Sequence, residues 1–76
     1  MVARAYILIE TQVGKSRDVI AALRALSNVS SVDIITGEFD IIALVEASGM
    51  VAMADLVTGL VQSTSGVTRT ITCVAA

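Results

Sequence analysis

The sequence predicts an α+β fold of order β-α-β-β-α-β, a four-stranded antiparallel sheet with two helices on one face. Three observations carry that expectation. The hydrophobic period alternates in order between strand-like and helix-like along the chain. Glycines at 14, 37, 49, 59 and 66 separate the segments, and proline is absent. Residues 6–9 and 41–45 are apolar throughout, as central strands covered on both faces are.

Residues 2–10 read as the first strand, with Ala5, Ile7 and Ile9 on one face and Tyr6 and Leu8 on the other. Gly14 and Lys15 form a loop, and Ser16 is the expected N-cap of a helix with Asp18 in its first turn. Val19, Ala22, Leu23 and Leu26 recur on one helical face, and Ser27 and Asn28 end the helix. Residues 32–36 and 39–46 read as two strands joined by a hairpin through Thr36, Gly37, Glu38 and Phe39. A second helix spans 49–62, burying Met53, Leu56, Val57 and Leu60. Gly59 inside it is costly in a helix, so close packing on the sheet is its expected reason. Residues 67–74 form the last strand, with Val67, Arg69, Ile71 and Cys73 alternating with threonines. In such a split βαβ arrangement, the ferredoxin-like motif, strands one and three lie in the centre and two and four at the edges.

Seventy-six residues make one domain, 1–76. A chain that short buries only about 60% of its unfolded surface and needs a disulfide, a metal or a partner. One cysteine and no histidine leave no intrachain disulfide and no soft metal cage. Lys15-Ser16 after Gly14 lacks the upstream glycine of a phosphate-binding loop, and no cofactor is implied. The hydrophobic fraction of 55% against 16% charged residues is high for so small a domain. Acidic residues interrupt every apolar run before it reaches the roughly 18 to 20 residues of a membrane span, and no basic segment precedes an apolar stretch as in a signal peptide. The expectation is a soluble cytoplasmic oligomer. Two helices cover one sheet face, which leaves Tyr6, Leu8, Ile42 and Leu44 on the other. A second copy laid isologously on that face would cover them, giving a dimeric α/β barrel. Five basic residues against seven acidic ones form no stripe, and Tyr6 and Phe39 are the only aromatics, so direct nucleic-acid binding is not expected.

The segments Ala5 to Ile9, Thr36-Gly37-Glu38-Phe39-Asp40 and Ser65-Gly66-Val67-Thr68-Arg69-Thr70-Ile71-Thr72, in this order, resemble the effector domain of the Lrp/AsnC family of feast-or-famine transcription regulators. The resemblance runs essentially end to end. It implies a ferredoxin-like domain that dimerises through its sheet, with dimers assembling into rings, often of eight or ten chains. Small effectors, usually amino acids, bind between neighbouring dimers. Full-length members carry an N-terminal helix-turn-helix; this sequence begins directly at the first strand and is similar to stand-alone members, so DNA binding in cis is not expected. Such a chain acts as a sensor by itself or by co-assembly with full-length relatives. Carried over by position, the cleft uses Gly37, Glu38, Phe39 and Asp40, with Met50, Thr70 and Thr72 matching positions that influence effector response. Asp40 suits an effector's ammonium, and the N–H groups around Gly37 and Glu38 suit its carboxylate.

Read without the resemblance, each of these residues has a plainer role. Gly37 is a turn glycine, and Asp40 a solvated hairpin end. Glu38 and Asp40 are too few carboxylates for a hard-cation cage. The threonines are ordinary edge-strand residues, Met50 and Met53 fill gaps, and Cys73 is a small buried apolar residue with no histidine to activate it. Three other functions compete. Cofactor-free ferredoxin-like enzymes need a His, Trp or N-terminal Pro, which this chain lacks, so no catalytic residue is expected. ACT-like amino-acid-binding modules share the element order but bind near the first loop, here Gly14. A structural subunit would use the same residues for assembly alone.

Overall fold

The computed structural model describes residues 2–75, apart from the side chain of Leu60, so that residue's expected place in the core lies outside the described residues. The elements are β1 (Ala3–Thr11), α1 (Ser16–Arg24), β2 (Val29–Ile34), β3 (Ile41–Ala47), α2 (Met50–Leu56), which continues as a π-helical segment (Val57–Val61), and β4 (Val67–Val74). The sheet runs β2-β3-β1-β4, with every neighbouring pair antiparallel. β1 and β3 are central, as their unbroken apolar runs require, and the ferredoxin-like topology follows.

Strand pleating sorts the side chains. Ala5, Ile7 and Ile9 of β1 and Ile41, Ala43 and Val45 of β3 are fully buried under the helices. They pack with Val19, Ile20 and Leu23 of α1 and with Met53, Leu56, Val57 and Val61 beyond β3. The opposite face carries Tyr6 beside Leu44 and Leu8 beside Ile42, flanked on β4 by Cys73 and Ile71. Leu8, Ile42 and Leu44 are half-buried, whereas Tyr6, Ile71 and Cys73 are exposed. Cys73 is therefore not the buried residue expected from its alternation; it lies on the open face of an edge strand.

Several boundaries differ from expectation for local reasons. β2 starts at Val29, not 32, because an extra residue, Ser30, is accommodated between the pairs Val29–Val45 and Ser31–Leu44. It stops at Ile34, and β3 starts at Ile41, so the connection is longer than a tight reversal. Ser16 makes no cap hydrogen bond; its Oγ lies 2.8 Å from Thr11 Oγ1 instead. The buried stripe of α1 is Val19, Ile20 and Leu23, with Leu26 half-buried beyond the helix end and Ala22 facing out. At the end of α2, the Gln62 N–H donates to Val57 O, five residues back, and the Thr58 hydroxyl donates to Ala54 O. Such side-chain competition for a helical carbonyl loosens the regular ladder. Gly59 sits here on the exposed side with nothing within 4 Å of where a Cβ would stand, so close packing is not its reason.

β4 keeps its expected bounds but not its expected alternation. Glu10 pairs with Arg69 and Thr11 with Val67, which leaves Thr68 as an unpaired extra residue. This bulge flips the strand's faces. Val67 packs against the core, while Arg69, Ile71 and Cys73 turn to the open face. No helix among the described residues is long and apolar enough to cross a membrane.

Candidate functional site

The hairpin between β2 and β3 is closed by the Ile35 N–H donating to Asp40 O at 2.9 Å, so residues 36–39 form its loop. Gly37 has φ +125°, a conformation that disfavours any residue with a Cβ. The loop is also stitched to β1. The Asp40 N–H donates to Ile9 O at 2.9 Å, and Asp40 Oδ2 accepts the Thr11 N–H at 2.9 Å and the Thr11 hydroxyl at 3.3 Å. Asp40 is thus not simply a solvated hairpin end. Its carboxylate holds the end of β1, and through Thr11 and Ser16 it is linked to the start of α1.

Phe39 is only 7% exposed although it lies in a loop. The guanidinium of Arg69 lies 4.8 Å above its ring centroid. Arg69 Nη2 is also 3.7 Å from Glu10 Oε2. The Thr68 hydroxyl is 3.1 Å from Glu10 O and 2.8 Å from Glu10 Oε1, tying the bulge residue to the strand it fails to pair with. Glu38 is exposed at the tip.

The other expected residues lie elsewhere. Met50, the exposed first residue of α2, and Thr72 share an open groove of about 380 Å³ with Met53, Val57, Thr58 and Val74. Thr70 Oγ1 accepts a hydrogen bond from Gln62 Nε2 at 3.0 Å. Thr70 and Asp40 flank Ile9 from opposite sides, so β1 separates them by two strand spacings, roughly 9–10 Å. Within one chain the seven residues therefore form two groups, the hairpin 36–40 and the α2–β4 groove, with Thr70 between them. Glu10, Thr11, Thr68 and Arg69 also belong to the hairpin's surroundings and were not expected there. Thr11 is joined to the hairpin by its contact with Asp40, 29 residues away in the chain, and Thr68, Arg69 and Glu10 by the register of β4 on β1 around the bulge. Among the described residues, no three His, Cys, Asp or Glu side chains are placed to hold a metal ion.

The geometry is that of a sheet-and-helix domain whose glycine hairpin is clamped to its central strand by Asp40, with no backbone hydrogen bond at Gly37 or Glu38 among the described residues. Residues 4–76 match the Lrp/AsnC ligand-binding domain, and the chain belongs to that family. Among solved structures it is similar to FFRP-DM1, at 28% identity and a TM-score of 0.94, over 97% of this chain and 99% of that one. A protein from Thermus thermophilus is 31% identical with a TM-score of 0.91, over 97% of this chain and 92% of that one. A regulator from Neisseria meningitidis, solved as a complex with L-methionine, shares the fold at 24% identity and a TM-score of 0.88; the match covers 97% of this chain but 49% of the regulator. No curated protein matches at the level of sequence.

Proposed function

We propose that this chain is an amino-acid-binding regulatory module that works as an oligomer and carries no catalytic activity. The observation that carries this reading is the match of residues 4–76 to a ligand-binding domain. The related fold solved with L-methionine supports an amino acid as the ligand. The ligand is taken at the hairpin, with the N–H groups around Gly37 and Glu38 facing its carboxylate and Asp40 its ammonium. Met50, Thr70 and Thr72 contribute from a neighbouring chain. The separation of the two groups of residues within one chain supports a cleft between chains.

The unit of assembly is a dimer joined through the open sheet face, where Tyr6, Leu8, Ile42 and Leu44 are extended by Ile71 and Cys73. Dimers build a ring of eight or ten chains, either of this protein alone or mixed with DNA-binding relatives. The likeness to transcription regulators supports action in the cytoplasm, where DNA is read. Any influence on transcription passes through such relatives rather than through direct contact with DNA.

A thermal-shift screen of the twenty common amino acids on the purified protein tests this reading. A ligand at 100 times its Kd stabilises by about 2.7 kcal/mol, a rise on the order of 10 °C for a domain this small. No shift with any amino acid at millimolar concentration would refute it.

A further inference from the structure

We propose that Arg69 is a positioning residue that holds the hairpin 36–40 in place by stacking on Phe39; its bearing on ligand affinity rests on the reading above. The bulge at Thr68 sets up the contact. Without the extra residue, one alternation would run through the strand, and Val67 and Arg69 would share a face. The bulge lets Val67 enter the core while Arg69 emerges on the open face opposite Glu10. Thr68 fixes the bulge by donating to Glu10, whose other carboxylate oxygen faces Arg69. At 3.7 Å the Arg69–Glu10 pair is an attraction without hydrogen-bond geometry. It steers the guanidinium, whose central carbon then lies over the Phe39 ring, 4.8 Å from its centroid.

The hairpin needs this second hold. Its backbone is fastened at Ile35 and Asp40, and Asp40 Oδ2 reaches Thr11. All of these lie at the base of the loop. Among the described residues, Gly37 and Glu38 at the tip make no backbone hydrogen bond. Arg69 acts on the loop itself, through its one large side chain, and from β4 rather than β1. The loop that would receive a ligand is thus fixed from both sides of β1. A planar guanidinium can lie flat on a ring, whereas a lysine ammonium offers a point charge, so the residue type matters as well as the charge. An exposed cation–π contact corresponds to roughly a two- to fivefold change in an opening equilibrium.

The test is amide hydrogen exchange on the full chain in its native assembly, without added amino acid, read at Ile35, Asp40 and Thr11. Arg69→Met keeps the apolar stem, and Phe39→Leu keeps a buried apolar side chain. Each should speed exchange at these amides by about two- to fivefold, leaving Ile7 and Val45 unchanged, and the double variant should be no faster than the faster single one. Unchanged exchange in Arg69→Met, or effects that multiply in the double variant, would overturn the proposal. Arg69→Lys decides the matter alone if Phe39→Leu does not assemble: exchange close to Arg69→Met supports stacking, and exchange equal to wild type overturns it. Calorimetry with the amino acid found by the screen separates the two readings. A loosened hairpin with unaltered affinity leaves the latch standing and removes the hairpin as the ligand site.

Discussion

Gly66 and Gly37 both have positive φ, at +97° and +125°, yet they should respond very differently to alanine. A methyl group forced into a left-handed conformation costs about 1–2 kcal/mol, and the stiffer unfolded chain returns about 0.4–1 kcal/mol. Gly37 has open space where its Cβ would stand, so Gly37→Ala should cost only this conformational difference, up to about 1.6 kcal/mol. At Gly66 the new Cβ would meet Val19 Cγ2 at 3.0 Å and Lys15 Cβ at 3.1 Å, well inside the roughly 3.5–4.0 Å of comfortable carbon contact. Val19 is fully buried, and the Lys15 Cβ moves only with its backbone. The backbone is itself tied: Gln12 N–H donates to Gly66 O at 2.8 Å, and Val19 N–H to Lys15 O at 3.0 Å. Neither neighbour can yield freely, so overpacking adds about 1–3 kcal/mol. Gly66→Ala should therefore cost about 1–3 kcal/mol more than Gly37→Ala, a further drop of about 4–24 °C in Tm for a domain of this size. Urea melts of both variants and wild type, at one fixed protein concentration because the proposed assembly would be linked to folding, measure the difference. Equal losses at the two glycines would show that Gly66 is a matter of conformation alone, and that the loop before β4 does not pack on α1 as described.

Three further expectations concern assembly and binding. Leu44→Asp puts a charge into the centre of the open face and should give aggregated or unfolded protein rather than a clean monomer, whereas wild type should elute as a dimer or larger at low micromolar concentration; a folded wild-type monomer by light scattering would defeat the sheet-face dimer. With no basic stripe, the isolated protein should leave double-stranded DNA unshifted in gels near physiological salt, and a retained shift with a steep salt dependence would reverse that conclusion. Asp40→Asn should weaken amino-acid binding at least tenfold by calorimetry, and Asp40→Ala should also lower stability by about 1–3 kcal/mol because the Thr11 N–H loses its acceptor; unaltered binding in Asp40→Asn would remove the ammonium role.

The fold was legible where one force acted alone. The period-two pattern of Ala5, Ile7 and Ile9 identified the core face of β1, and the unbroken apolar runs identified the two central strands. It was least legible where backbone irregularities shift the pattern. The bulge in β2 takes in Val29, Ser30 and Ser31, which as a string look like loop. The bulge at Thr68 exchanges the faces of β4, so Val67 and Cys73 fall on opposite sides despite sharing a parity. The π-helical turn occupies residues whose apolar spacing reads as ordinary helix. The hairpin of the candidate site could be read from Gly37 to Asp40, because turn chemistry is local. Its supports could not, because Thr11 lies 29 residues from Asp40 in the chain, and Arg69 reaches Phe39 only across the bulge.

Those supports alter what Asp40 can do. A carboxylate at a free hairpin end would offer both oxygens to a ligand. Here Oδ2 is engaged by Thr11, and no hydrogen bond among the described residues involves Oδ1. An ammonium group arriving at Asp40 therefore has Oδ1 to bind, or it must displace the Thr11 N–H and leave that donor without its partner. The first route strengthens a clamp that already exists; the second forfeits a charge-assisted hydrogen bond that a ligand would have to replace. Were the ligand taken at this hairpin, as proposed, its binding would consequently be linked to the order of the β1 terminus. Thr11 Oγ1 also lies 2.8 Å from Ser16 Oγ at the head of α1, so the same contact joins the loop to the helix layer. A ligand that uses Oδ1 should tighten Thr11 and Ser16 together, and amide exchange at Thr11 should slow on binding. Faster exchange there would show that the ligand takes Oδ2 and breaks the clamp.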